Sequence, residues 1–158
     1  MQSATTAKTI DPRFLAGKKF AVVVSRFNGD VCAGLLKGAL DALAELGVAR
    51  ASIEVLHVPG AFEIPLIAKK AALTGRFAGV IALGAVIRGE TPHFEFVSLA
   101  ATMGCLQAGL DTGCPVMFGV ITVNNPAQAK ARAQADEFNK GREAALALAE
   151  VLQTMERI

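Results

Sequence analysis

The feature that most constrains this chain is an alternation. Short runs that are apolar at nearly every position take turns with longer stretches of helical spacing, from about residue 20 onward. "FAVVVSRF" (20–27), "ASIEVLHVPG" (51–60), "AGVIALGAVIR" (78–88) and "CPVMFGVITV" (114–123) read as strands. A strand with no polar face must be covered on both sides, which is the situation of a parallel sheet flanked by helices. Between the strands, residues 32–48, 61–77 and 93–113 carry helical patterns, and 125–158 reads as helix with a break near Asn139–Gly141. Within 32–48, Leu35, Leu36, Ala39, Leu40, Leu43 and Leu46 share one stripe, and Gly47 is a natural stop. Pro65 suits a helix only near its first turn.

Right-handed crossovers leave few ways to connect such a pattern. The expected fold is α/β: a three-layer, flavodoxin-like sandwich with a four-stranded parallel sheet in the order 2-1-3-4 and helices on both faces. The polar, Thr-rich segment 1–17 reads as an N-terminal tail with room for an edge strand, and 18–158 as a single domain. In sheets of this kind ligands bind beyond the carboxyl ends of the strands, at the switch point of the topology. The residues that follow each strand are therefore the place to look for function.

Composition narrows the classes. At 53% hydrophobic and 19% charged residues the chain is apolar for a domain that works alone, which points to buried subunit interfaces. The apolar runs are broken by Arg, Lys, Gly or Pro well before the roughly 20 residues that a spanning helix needs, so no membrane partner is expected. The N-terminus has no apolar core of signal-peptide type, and a cytoplasmic location is expected. A net charge of +2 with no basic run argues against nucleic acid. Cys32, Cys105 and Cys114 form no CxxC pair and read as reduced thiols. His57 and His93 have no ligand spacing, so no metal site is expected.

Each post-strand segment has an ordinary reading and a functional one. Phe27 and Asn28 are either a core ring and an Asn-Gly turn, or an aromatic face for a planar ligand with a polar handle. Glu63, after the Pro59–Gly60 turn, either complements a helix dipole or accepts hydrogen bonds from hydroxyls. His57, inside its strand, reads as structural. "GAVIRGETPHFEFV" (84–97) passes from an apolar run into a polar cluster. There Thr91 is a natural N-cap and Pro92 suits the first helical position. The free N–H groups of that turn and the Thr91 hydroxyl would hold a phosphate, with His93 beside them as a proton carrier. The bland alternative is a well-capped helix with an incidental histidine. Asn125–Pro126 repeats the cap device. Arg132, about two turns on, is either a surface arginine or a phosphate clamp. Phe118, within the fourth strand, is by default core.

"VVVSRFN", "VPGAFEIPLIAKK", "ALGAVIRGETPHFEFV", "DTGCPVMFGVIT" and "NKGREAALA" occur in this order between about residues 19 and 150. Together they resemble the 6,7-dimethyl-8-ribityllumazine synthase family. The resemblance implies a condensation of 5-amino-6-(D-ribitylamino)uracil with 3,4-dihydroxy-2-butanone 4-phosphate, the penultimate step of riboflavin biosynthesis, with no cofactor. It implies that Phe27 stacks on the pyrimidine with Asn28 adjacent, and that Ala61, Phe62 and Glu63 hold the ribityl chain. Ala85, Val86 and Ile87 would read the pyrimidine edge. Glu90 and Thr91 would cradle the phosphate, and His93 would be the general acid/base. Phe118 and Arg132 would come from a neighbouring subunit of a homopentamer, Arg132 on the phosphate. A functional link to riboflavin synthase is implied as well.

The chain departs from the family pattern at one place. Where the family often reads "GTKAGNKG", this sequence reads "QADEFNKG" (134–141), with Gln134, Asp136 and Phe138 in place of a glycine, a lysine and a second glycine. This link governs contacts between pentamers in the family, and its change favours a free pentamer over an icosahedral shell. Two rival readings use the same scaffold. A non-catalytic flavin- or lumazine-binding protein would need Phe27 and the ribityl contacts but neither His93 nor Arg132. A generic flavodoxin-like phosphate binder would not need four post-strand motifs in register.

Overall fold

The computed structural model describes residues 10–158. Four parallel strands, β1 (Phe20–Ser25), β2 (Ile53–Val58), β3 (Gly79–Ile87) and β4 (Val116–Val123), form a sheet in the order β2-β1-β3-β4, as the alternation predicts. The helices are α1 (Gly29–Glu45), α2 (Ile64–Leu73), α3 (His93–Thr112), α4 (Pro126–Ala133) and α5 (Lys140–Met155). The expected edge strand falls partly on residues 1–9, outside the described residues. From residue 10 the chain makes a single 3-10 turn, Pro12–Leu15, in which Asp11 accepts from the Arg13 N–H. Ile10 and Leu15 are buried against the core, and the Asp11 N–H donates to Gln153 on α5 at 2.9 Å.

The alternation of side chains along a strand sorts the core into two layers. Phe20, Val22 and Val24 of β1, with Ile81, Leu83 and Ala85 of β3, face α1 and α5. Ala21 and Val23, with Val80, Ala82 and Val86, face α2 and α3. Both faces of β1 and β3 are thus closed, which is why those strands carry no polar alternation. All three cysteines are free, and burial pushes each thiol up, that of Cys105 to about 12.

The element ends differ from the sequence-based ranges by one to four residues, for local reasons. The first strand stops at Ser25 because Asn28 turns into the left-handed region (φ 57°), so α1 starts at Gly29 rather than near 32. Residues Ala61–Glu63 form a 3-10 turn, so α2 starts at Ile64 with Pro65 in its first turn, where the missing N–H is harmless. Gly47 (φ 83°) supplies the left-handed stop after α1 that its position predicts.

The break between the last two helices is organised by one side chain. Asn139 is 1% exposed. Its Oδ1 accepts from the N–H groups of Gly141 and Arg142, capping α5, and its Nδ2 donates to the carbonyls of Gly34 and Gln134 at 3.0 and 2.8 Å. Four bonds from one amide tie α1, the link and α5 together. The helices approach so closely that a Cβ on Gly141 would overlap the Leu35 carbonyl, and one on Gly38 would overlap Asn139 itself. The departing residues of the link form a local turn, in which the Asp136 carboxylate accepts from the Phe138 N–H at 2.9 Å.

One surface is unusually apolar. Phe96, Leu99, Met103, Leu106 and Leu110 are exposed along α3 at alternating spacings of three and four residues, the pattern of a helix-packing seam.

Replacing Asn139 by Ala removes the α5 cap and both amide bonds to the Gly34 and Gln134 carbonyls. The expected loss is about 2–3 kcal/mol of unfolding free energy, measured by urea denaturation. A loss of a few tenths would mean that water replaces the amide and that the link is not held by this residue.

Candidate active site

A cavity of about 690 Å³ opens where β1, β2 and β3 end. Its walls come from the segments that follow those strands: Phe27–Asn28, Pro59–Glu63, Ala85–Ile87 and the start of α3. Of the residues singled out from sequence, the structure brings together here Phe27, Asn28, Ala61, Phe62, Glu63, Ala85, Val86, Ile87, Thr91 and His93. Glu90 stands beside this group without lining the cavity.

The loop after β1 is held from below. The Phe27 carbonyl accepts from the Cys32 thiol at 3.3 Å and from the Ser25 hydroxyl at 3.4 Å. Asn28 Nδ2 donates to the Ala85 carbonyl at 2.9 Å, joining the end of β1 to the end of β3. The polar handle suggested by the sequence is therefore engaged with the protein itself. The Phe27 ring is 71% exposed, so it is not a core residue. A phenyl ring left in water on a backbone pinned this firmly is a face waiting for an apolar or planar partner.

Glu63 has the local role expected of its place at a helix start. Its Oε2 accepts from the Gly60 N–H at 2.9 Å, the bond expected of a carboxylate at a helix start. Its Oε1 makes no hydrogen bond among the described residues and is available to hydroxyls. At the start of α3, Pro92 already has near-helical dihedrals (φ −66°, ψ −1°). Thr91 stands one residue earlier, and its hydroxyl accepts from the His93 N–H at 3.5 Å, a contact at the limit of a hydrogen bond. The expected Thr91 cap with Pro92 at the first helical position is thus displaced by one residue: Pro92 is the N-cap, no side chain caps the turn, and the helix opens at His93. Thr91 and His93 both line the cavity.

Phe118 and Arg132 are not in this cavity. They share a second depression, of about 320 Å³, between β4, α4 and α5. Phe118 is 40% exposed, which overturns the reading of a core ring: β4 is an edge strand, and this residue faces outward. Arg132 folds back so that Nη1 donates to the Gln128 carbonyl at 3.0 Å. Sequence reasoning missed two neighbours of this pair, Lys140 and Glu143, which form an ion pair within the same depression. Their spacing was visible, but not that α5 would bring them to the depression that Arg132 also lines. Among the described residues no group of His, Cys, Asp or Glu has the arrangement of a metal site, and no helix is long and apolar enough to cross a membrane.

One cavity at the carboxyl end of a parallel α/β sheet thus gathers an exposed aromatic ring, the backbone at the end of β3, a carboxylate and the start of a helix that carries a histidine.

Comparison with known proteins gives the family of this α/β fold. The family model described as 6,7-dimethyl-8-ribityllumazine synthase matches residues 17–156. The chain is 54% identical over 140 residues to 6,7-dimethyl-8-ribityllumazine synthase 1 of Caulobacter vibrioides, covering 89% of this chain and 92% of that one. It is 51% identical over 142 residues to the 6,7-dimethyl-8-ribityllumazine synthase of Syntrophus aciditrophicus, covering 90% and 92%. With that of Nitratidesulfovibrio vulgaris strain DP4 it shares 48% over 152 residues, covering 96% and 97%. The chain belongs to the 6,7-dimethyl-8-ribityllumazine synthase family.

The Asn28 clamp has a testable signature. Asn28→Gly keeps the left-handed turn and loses the bond to Ala85, costing about 0.5–1.5 kcal/mol. Asn28→Ala loses the same bond but, unlike glycine, keeps a Cβ in the left-handed region, without asparagine's local polar compensation, and should lie roughly 1–2 kcal/mol below the glycine variant. Chemical denaturation of the two variants should rank them in that order, and equal stability would show that the turn relaxes out of the left-handed region.

Proposed function

We infer that the protein catalyses the condensation of 5-amino-6-(D-ribitylamino)uracil with 3,4-dihydroxy-2-butanone 4-phosphate, giving 6,7-dimethyl-8-ribityllumazine, phosphate and water. The observation that carries this reading is one cavity holding the free Phe27 ring, the Glu63 carboxylate and His93 at a helix start. Membership of the family supports the identity of the substrates. The pyrimidine stacks on Phe27 with its edge against the backbone of Ala85, Val86 and Ile87. The ribityl hydroxyls reach Glu63 and the backbone of Ala61 and Phe62. The phosphate lies on the N–H groups around Glu90 and Thr91.

The 5-amino group attacks the ketone, and water leaves to form an imine. Loss of a proton next to the imine drives out phosphate, and the resulting enol tautomerises to a ketone. The ribityl-bearing nitrogen closes the second ring with loss of another water. His93 takes and returns protons in these steps, working beside an anion whose charge the helix start stabilises. Holding two reactive molecules face to face supplies the remainder of the acceleration. No step requires a metal or an organic cofactor.

The separate depression of Phe118 and Arg132 supports a site shared between subunits. In a homopentamer these two residues close the cavity of a neighbour, Arg132 on the phosphate, and the exposed row on α3 supplies apolar area for assembly. The altered 134–139 link favours a free pentamer. We place the protein in the cytoplasm, with its product passed to riboflavin synthase.

The test is to mix the purified protein with both substrates and follow lumazine absorbance and fluorescence. No product from either order of addition would overturn the reading. His93→Ala should slow turnover by about 10²–10⁴-fold, less if proximity dominates, with pyrimidine affinity little changed. An unchanged rate at saturation would reduce His93 to a helix-start residue.

Arg132→Ala should weaken binding of the butanone phosphate by roughly 1.5–3 kcal/mol and leave pyrimidine binding nearly intact. Co-assembly of His93→Ala with Arg132→Ala subunits should recover part of the activity, because some mixed sites receive both intact residues. Activity no greater than that of the two variants measured separately would argue that each chain builds its site alone.

A further inference from the structure

Arg88 stands at the end of β3 and lines neither cavity. Its backbone N–H continues the sheet by donating to the Val123 carbonyl at 2.9 Å. Its guanidinium then meets three groups from two other segments. Nε donates to Asn124 Oδ1 at 3.2 Å, Nη1 donates to Glu95 Oε1 at 3.3 Å, and Cζ lies 4.5 Å from the centre of the Phe94 ring. Phe94 and Glu95 follow His93 directly on the first turn of α3, and the Glu95 N–H closes that turn on the Pro92 carbonyl at 2.9 Å. The N-cap of the same turn is Pro92, with no side-chain cap bond, so the turn is not fixed by a cap of its own. Asn124 is itself tied down: its N–H donates to Gln128 Oε1 at 2.8 Å, at the start of α4.

We propose that Arg88 is a positioning residue for His93: the guanidinium clamps the first turn of α3 to the end of β4 and thereby sets where the His93 ring stands over the cavity. The reasoning is geometric. A planar guanidinium has fixed donor directions. With one edge on Asn124, its Nη1 on Glu95 and its face on Phe94, it leaves the turn little freedom to slide along or rotate about the helix axis. The individual contacts are weak, because the Arg88 side chain is 44% exposed and its ion pair with Glu95 is more so. Their joint effect is on placement rather than on stability. The same contacts turn Nε and Nη1 toward protein partners, which argues against a role as a direct phosphate ligand.

The inference rests on the condensation reading above, and the experiment separates the two. Arg88→Met keeps an apolar stem over Phe94 and removes the charge and both hydrogen bonds. It should lower kcat by about 10–100-fold, the scale of a small misplacement of a reacting group, with KM for both substrates nearly unchanged. Combined with His93→Ala it should lower kcat no further, because a clamp acting through His93 has nothing left to place. Arg88→Lys, which reaches one partner at a time, should recover part of the loss. An additive loss in the double variant would overturn the proposal, since the effect would then not pass through His93. So would a raised KM for the butanone phosphate with kcat retained, which would make Arg88 a phosphate ligand. If Arg88→Met does not fold, Glu95→Gln with Asn124→Ala removes the same anchors and is read in the same way against His93→Ala. Absence of lumazine formation by the unaltered protein would defeat the underlying reading; normal wild-type turnover with an unaffected Arg88→Met would defeat this inference alone.

Discussion

Burial of β1 and β3 on both faces is the constraint from which the rest of the molecule follows. Phe20, Val22, Val23 and Val24 lose essentially all contact with water, and that is achieved only with helices above and below the sheet. Each helix must then return the chain to the same end of the sheet before the next parallel strand can begin. Every strand therefore releases its following loop at one edge, and the loops after β1, β2 and β3 meet there as a cavity. The cavity is lined both by core residues such as Ala61, Ala85 and Val86 and by exposed ones such as Phe27 and Phe62. The core's contribution is to decide where they stand.

Much of this was legible in the sequence because the core residues are unambiguous. The sheet order follows from strict alternation and crossover handedness, and the post-strand segments were identifiable before their positions were known. What was not legible depends on contacts between distant residues. Asn28 looks like half of an Asn-Gly turn, and only the structure reveals that its amide reaches Ala85. Phe118 sits in an apolar run and turns outward because β4 has a neighbour on one side only. Lys140 and Glu143 are ordinary helix residues until the fold brings them to the depression that Phe118 and Arg132 line. The segment before residue 18 reads as a polar tail, yet Ile10 and Leu15 pack into the core. Two apolar residues in a polar setting give too faint a pattern to show that.

Hydrogen bonds from side chains to the backbone recur at the joints of this fold. Asn139 fastens the last two helices to α1, Asn28 fastens the ends of β1 and β3, and Asn125 caps α4 by accepting from the Gln128 N–H. Asn139 and Asn125 each pair N–H groups that the start of a helix leaves free. The helix start at His93 is the exception. It has no side-chain cap, and what reaches it from outside the helix is the Arg88 side chain, on Glu95 and Phe94.

The Asn28–Gly29 step has a consequence for how the molecule ages. Asparagine followed by glycine is the dipeptide in which the side-chain amide is most readily lost as ammonia, because glycine does not shield the attacking backbone nitrogen. Here the amide that would be lost is the one that donates to the Ala85 carbonyl. Its conversion to a carboxylate would replace a donor by an acceptor and set two oxygens against each other across the ends of β1 and β3. A change of one mass unit would loosen the mount of the Phe27 ring while leaving both buried layers intact, so an aged sample could remain folded after its site had lost its shape.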